Sequence, residues 1–268
     1  MLRRIIALTA VAATAALVAA GCSSSKNSST PAAGASSTAG STAAISGTVT
    51  VLAAASLTEA FNTLGKQFES AHPGTTVKFS FGASSDLAVQ INQGAPADVF
   101  ASASPKNMKQ VVDAGGASTS TTFVKNVMEV AVPPSNPAHV TSVTDLAKSN
   151  IKVALCEPQV PCGVVAAEVF ENAKITVKPV TLEPDVKSTL SKVQLNEVDA
   201  GMVYVTDVRA AGSKVKGVVI PDDINASTEY PIAALTKAPN TAGAQAFVDL
   251  VLSPAGQSVL AADGFQKP

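Results

Sequence analysis

The chain has 268 residues, of which 46% are apolar and 15% charged, and its formal net charge is −1. That slightly acidic balance carries no basic excess, so it offers no electrostatic footprint for nucleic acid. Tryptophan is absent and tyrosine occurs only at Tyr204 and Tyr230, which excludes an aromatic stacking platform for sugars or bases.

Arg3 and Arg4 precede an apolar run from Ile5 to Ala20, followed by Gly21-Cys22. A charged start, a short apolar core and small residues before the cut describe a secretory signal over residues 1–21. The run is shorter than the roughly 20 residues a membrane span needs. Val18-Ala19-Ala20-Gly21-Cys22 resembles a bacterial lipobox, with alanine at position 19 where leucine is more usual. The resemblance implies cleavage before Cys22 and a diacylglycerol on its sulfur, holding the protein to the outer face of the cell membrane. An ordinary secreted protein with a stray cysteine is the alternative. Residues 22–46 are mostly Ser, Ala, Gly and Thr and have no periodic apolar face, so they form a flexible tether. Without the signal, Arg209 is the sole arginine. A bound oxyanion would therefore be held by neutral donors and not by a cluster of arginine forks.

The folded part begins at about Gly47. Thr48 to Ala53 is β-branched and apolar, as a strand covered on both faces should be. A turn of small residues follows, then a helix with Ala60, Phe61, Leu64 and Phe68 on its buried face. Ser56 stands three residues before Glu59, the spacing of a capping box. The same turn leaves free N–H groups beside a serine hydroxyl, which is a seat for an anion. The residues alone leave both roles open.

Thr76 to Phe81 is a second strand, followed by the Gly82-Ala83-Ser84-Ser85-Asp86 turn and a helix over Leu87 to Gln93. Asp98 to Ala101 is a third strand, and Ser104-Pro105 starts a helix with serine as cap and proline at the first position. This order argues an α/β domain with a largely parallel sheet. Phe123 to Val132 is a long apolar strand crossing into a second unit. There Ile151 to Leu155 is a strand, Val164 to Ala173 a helix, and Val186, Leu190 and Val193 mark a further helix. Asp199 to Asp207 is a strand leading into a short helix, and Val218 to Ile220 closes the unit. Tyr230 to Leu235 crosses back, and helices over Ala242 to Leu252 and Pro254 to Ala262 pack on the first unit. Two crossing strands make a hinge, and ligands of open α/β sheets sit beyond the strand C-terminal ends.

Cys156 and Cys162, six positions apart in an oxidising compartment, suit a disulfide, with two buried thiols as the competing reading. Two cysteines with no nearby histidine do not complete a zinc site. A hydrolase using Ser56 or Ser84 would need a base. His72 and His139 are the only histidines, and neither falls in a site turn. There is no Gly-x-Ser-x-Gly elbow, no phosphate-cradling Gly-x-x-x-x-Gly-Lys and no His-Glu-x-x-His, so no enzymatic activity is expected.

Ala53-Ala54-Ala55-Ser56-Leu57, Phe81-Gly82-Ala83-Ser84-Ser85, Gly94-Ala95-Pro96-Ala97-Asp98-Val99-Phe100, Val160-Pro161-Cys162-Gly163 and Gly201-Met202-Val203-Tyr204 occur in one order. Together they resemble the molybdate-binding proteins of bacterial ABC transporters, over essentially all of Gly47 to Pro268. The resemblance implies a two-lobed periplasmic-binding-protein type II fold, each lobe a mostly parallel sheet flanked by helices, joined by two crossing strands. Lobe 1 would comprise residues 47–127 and 230–268, and lobe 2 residues 128–229. It implies a receptor that closes on molybdate or tungstate and delivers it to a permease with a cytoplasmic ATPase. Ser56 and Ser84 would give hydroxyls and backbone N–H groups, Cys162 and Val186 backbone N–H groups, and Tyr204 its phenol. Cys162 departs from the small residue, such as alanine, usual at its position. Molybdenum would be bound only as the oxyanion, with no direct protein–metal ligand, no cofactor and a monomeric receptor. Sulfate or another tetrahedral oxyanion is the alternative ligand, and a non-transporting sensor lipoprotein of the same fold is the alternative role.

Overall fold

Strand–turn–helix units form at each small-residue turn in the computed structural model, which describes residues 45–268. The signal segment, Cys22 and the tether as far as residue 44 lie outside the described residues. The first half runs β1 (Gly47–Ala54), a 3-10 turn (Ala55–Leu57), α1 (Thr58–Ala71), β2 (Thr75–Gly82), α2 (Ser84–Asn92), β3 (Val99–Ala101), α3 (Pro105–Asp113) and β4 (Thr121–Val132). The second half runs β5 (Val153–Cys156), α4 (Pro161–Asn172), β6 (Thr181–Glu183), α5 (Val186–Gln194), β7 (Ala200–Tyr204), α6 (Val205–Ala211) and β8 (Lys216–Val219). β9 (Ser227–Ala234), α7 (Thr241–Leu252) and α8 (Pro254–Asp263) return to the first half, where α7 and α8 contact α1.

Local chemistry sets these boundaries. In α3, Ser104 Oγ accepts the Asn107 N–H at 3.4 Å and proline occupies the first turn, where its missing N–H costs nothing. α2 starts at Ser84 and α4 at Pro161, each three residues earlier than periodicity suggests, because the opening turns carry small residues and proline instead of apolar markers. The strand expected over Asp199 to Asp207 ends at Tyr204, where α6 begins. β6 has no counterpart in the sequence reading. It is three residues long with Leu182 exposed, too short for any period to show.

The strand order is β2-β1-β3-β9-β4-β7-β5-β6, with β8 also on β4. β1 pairs in parallel with β2 and β3, and β5 in parallel with β6 and β7. β4 and β9 run antiparallel to their neighbours, so parallel character is confined to the outer strands of each half. β4 serves both halves: Thr121 to Val127 pairs with β9, and Met128 to Ala131 with β7.

Each half has its own core. One gathers Phe61, Phe68, Phe123 and Phe247 around β1 and β3, and the other gathers Val130, Val153, Val169 and Val203 around β5 and β7. α1 buries Phe61, Leu64 and Phe68 on one stripe, which stabilises the helix by about 1.5–3 kcal/mol for each side chain. Strand C-terminal ends and helix starts from both halves face each other across a cleft, and that cleft is where the chemistry collects.

Candidate functional site

Ser56, Ser84, Cys162, Val186 and Tyr204 line one cavity in this cleft, with Ala55, Ala83 and Ala103 keeping the walls free of bulky side chains. All five are buried, at 4% exposure or less. The cavity leaves ≈ 20 Å³ for the centre of a water-sized sphere. That is room for little more than one water-sized group.

Ser84 opens α2, and its Oγ accepts the Ala103 N–H at 2.9 Å. A backbone N–H can only donate, so the Ser84 hydroxyl keeps its own proton for another acceptor. Ser56 is not a cap. It lies inside the 3-10 turn, α1 takes Leu57 as its N-cap with no side-chain bond, and Ser56 Oγ instead lies 2.8 Å from Tyr230 Oη. The local Ser-x-x-Glu spacing is overridden by a partner 174 residues away.

Three helices begin at this cavity: α2 at Ser84, α4 at Pro161 with Cys162 second, and α5 at Val186. N–H groups in a first turn have no intrahelical acceptor, and the dipole there favours negative charge. Cys156 and Cys162 are bridged, with their Cα atoms 5.8 Å apart, so the loop leading into α4 is tied to the end of β5. Gly163 lets that loop close: a Cβ there would stand 2.0 Å from Glu157 O and 3.0 Å from Cys156 O. Asp185 is the one carboxylate on the lining, and its Oδ1 accepts the Ser188 N–H of its own helix at 2.9 Å.

Tyr204 is 1% exposed and its Oη has no hydrogen-bond partner. Burial pushes its phenol well above the ordinary tyrosine value, so it stays a neutral donor. The Tyr230 ring lies nearby, with ring centroids 6.3 Å apart, and the Tyr204 phenol lines the cavity. Beneath it, the Tyr204 N–H donates to Asp207 Oδ2 at 3.1 Å. Lys187 Nζ stands 3.0 Å from Asp207 Oδ1, an ion pair by distance although Oδ1 accepts no well-directed hydrogen bond. Burial works against the charge on Lys187, but the carboxylates of Asp207 and Glu59 outweigh it and hold the ammonium above its ordinary value. Burial pushes the Asp207 carboxyl upward, and Lys187 pulls against that shift.

Neither histidine lines the cavity; the His72 ring lies against Phe68 with centroids 4.5 Å apart. Neither serine therefore has a histidine base beside it. Among the described residues no group of three His, Cys, Asp or Glu is placed to hold a metal ion. Asn126, Thr206, Asp207 and Tyr230, all buried behind the site, escape motif reasoning. The available signal was polarity out of place: Asn126 interrupts the apolar run of β4, and Asp207 follows directly on β7.

The model of the family described as bacterial extracellular solute-binding protein matches residues 49–266. The molybdate-binding protein ModA of Mycobacterium tuberculosis is 39% identical over 222 residues, covering 82% of this chain and 85% of that protein. The molybdate-binding protein ModA of Escherichia coli is 35% identical over 240 residues, covering 84% and 91%. The solved periplasmic molybdate-binding protein of Azotobacter vinelandii superposes with a TM-score of 0.72, covering 82% of this chain and 99% of that one at 21% identity. The fold is thus that of periplasmic binding proteins, and among the described residues no helix is long and apolar enough to cross a membrane. The chain belongs to the bacterial extracellular solute-binding protein family.

Proposed function

We propose that this protein is an extracytoplasmic receptor that captures molybdate, with tungstate as a second ligand, and delivers it to an ABC permease driven by a cytoplasmic ATPase. The observation that carries this reading is the donor set. Two serine hydroxyls, an unpartnered buried phenol and three helix starts meet in one cavity with no lysine or arginine on its lining. A tetrahedral dianion without protons can only accept hydrogen bonds, so a cavity rich in donors suits it. Each such bond to a charged group contributes about 1.5–3 kcal/mol, and several together offset the loss of hydration.

Ser56, Ser84 and Tyr204 would give hydroxyl protons, and Ser56, Ser84, Cys162 and Val186 backbone N–H groups. The metal would be surrounded by its own oxygens, with no protein atom on molybdenum and no cofactor. The names carried by relatives at 39% and 35% identity support molybdate as the cargo. The receptor would be a monomer, and Cys22 would tether it to the outer face of the membrane through its lipid.

Calorimetric titration with molybdate, tungstate, sulfate and phosphate tests the reading. Tight one-to-one binding of the first two, with weak sulfate and phosphate, is the expected result. A preference for sulfate would keep the site and replace the cargo; no binding by any of the four removes the oxyanion site.

A further inference from the structure

A second cavity lies between the two halves and shares Ser56 with the first. The first half lines it with Glu59 of α1 and with Ala262 and Asp263 at the end of α8, and the second half with Thr206 and Arg209 of α6. The charges that meet here are opposite in sign. Glu59 and Asp263 belong to the first half, and Arg209 and Lys187 to the second. Lys187 Nζ stands 2.7 Å from Glu59 Oε2. Arg209 Nη1 donates to Ala262 O at 3.0 Å, in the last turn of α8. Carbonyls there have no intrahelical donor, and the helix dipole favours a cation. Burial pushes the Asp263 carboxyl up and Glu59 adds to that, while Arg209 and Lys187 pull it down.

Exposed ion pairs ordinarily contribute little, because two long side chains must be ordered to form them. Here much of that ordering is already in place. Lys187 is held 3.0 Å from the buried Asp207, and the Arg209 guanidinium rests on bare backbone, where a Cβ on Gly264 would stand 3.4 Å from both Nε and Nη1. Glu59, Lys187 and Arg209 do not line the oxyanion cavity, so they act on the two halves and not on the ligand. We propose that Glu59 with Lys187, and Arg209 with the end of α8, form a latch that holds the halves together and sets how slowly a captured oxyanion is released. A bond between the halves has to break before they part, so each one slows opening and leaves capture by the open form alone. The inference rests on the oxyanion-receptor reading and deepens it: the cavity sets what is held, and the latch sets for how long.

The experiment measures capture of radiolabelled molybdate by the purified protein and its release into excess unlabelled molybdate. It compares the unmodified chain, Glu59→Gln, Arg209→Met and the two changes together. Each single change should speed release by about twofold to fivefold, the scale of one exposed ion pair, and the two together by about tenfold. Capture should be unchanged or faster. A merely structural role would instead lower the amount of molybdate bound at saturation and leave release of the bound fraction as it was. Equal release rates in all four proteins, or a loss of affinity that lies wholly in capture, overturns the latch and leaves the receptor reading standing. Failure of the unmodified protein to bind molybdate overturns the receptor reading itself.

Discussion

Lys187 on α5 reaches Glu59 on α1, with Nζ 2.7 Å from Oε2, and so ties the second half of the molecule to the first. Lys187 directly follows Val186, whose N–H opens α5, and the same ammonium neutralises the buried Asp207. One side chain thus joins the link between the two halves to the charge balance beneath Tyr204.

Removing that ammonium should cost more than removing its outer partner. Lys187→Met leaves Asp207, fully buried, without a counter-charge and should destabilise the fold by about 2–4 kcal/mol, somewhat below the usual cost because Lys187 is partly exposed. Without the lysine the Asp207 carboxyl rises further, so the folded state binds a proton more readily than the unfolded one. The variant should therefore regain stability as pH falls toward the ordinary carboxylate range, and lose it as pH rises through the raised folded value. Thermal unfolding across that range checks the sign; a variant whose deficit is constant with pH would exclude Asp207 as the cause. Glu59→Gln, at the half-exposed end, should change stability by less than about 1 kcal/mol.

Ser84→Ala removes a hydroxyl donor from the cavity and the acceptor of the Ala103 N–H. Oxyanion affinity should fall by about 10-fold to 100-fold, the range of one hydrogen bond to a charged group. Unfolding without ligand should move by only about 1 kcal/mol, the cost of one unsatisfied N–H. Unchanged affinity in a titration would take Ser84 out of the site.

Gly163→Ala should damage the second half of the site without touching any ligand-facing side chain. The added methyl would run into the backbone of Glu157 and Cys156, and Cys156 is tied by its disulfide to Cys162 at the start of α4. The start of α4 must then shift, and the Cys162 N–H moves with it. Affinity should drop by at least tenfold, on the scale of one lost charge-assisted bond. Cys156→Ser with Cys162→Ser in the same chain should be milder for affinity and cost about 2 kcal/mol of stability for this short loop.

Binding should be flat between about pH 7 and about pH 9, because burial keeps the Tyr204 phenol protonated beyond the ordinary tyrosine value near 10. Titrations at three pH values check this. A decline across that window would mean the phenol ionises early and repels the anion.

The sequence showed its strand–turn–helix units wherever a short apolar run met small residues, as at Ala53-Ala54-Ala55-Ser56 and Phe81-Gly82-Ala83-Ser84. At such turns backbone chemistry is local, and so are its signals. Ser104-Pro105 was legible for the same reason. What escaped was long-range. The bond from Ser56 to Tyr230 spans almost the whole folded chain, and no local spacing announces it, so the nearer Glu59 looked like the natural partner. The Lys187 bridge joins residues 128 apart in sequence. β6 was invisible because Thr181-Leu182-Glu183 makes its ladder on one edge of β5 and has only one apolar side chain, itself exposed.

The two segments that cross between the halves are not separate strings. β4 and β9 are laddered to each other at the crossing, with Lys125 opposite Glu229, Asn126 opposite Thr228 and Val127 opposite Ser227. A paired ribbon can bend and twist across its thin direction, yet sliding one strand past the other by a residue would swap every side chain to the opposite face. The jaws are therefore left with few rotational freedoms, like a leaf spring in place of a loose joint. A hinge of this kind would confine relative movement of the two halves to bending, and would keep Tyr204 and Ser56 on the walls of one cavity.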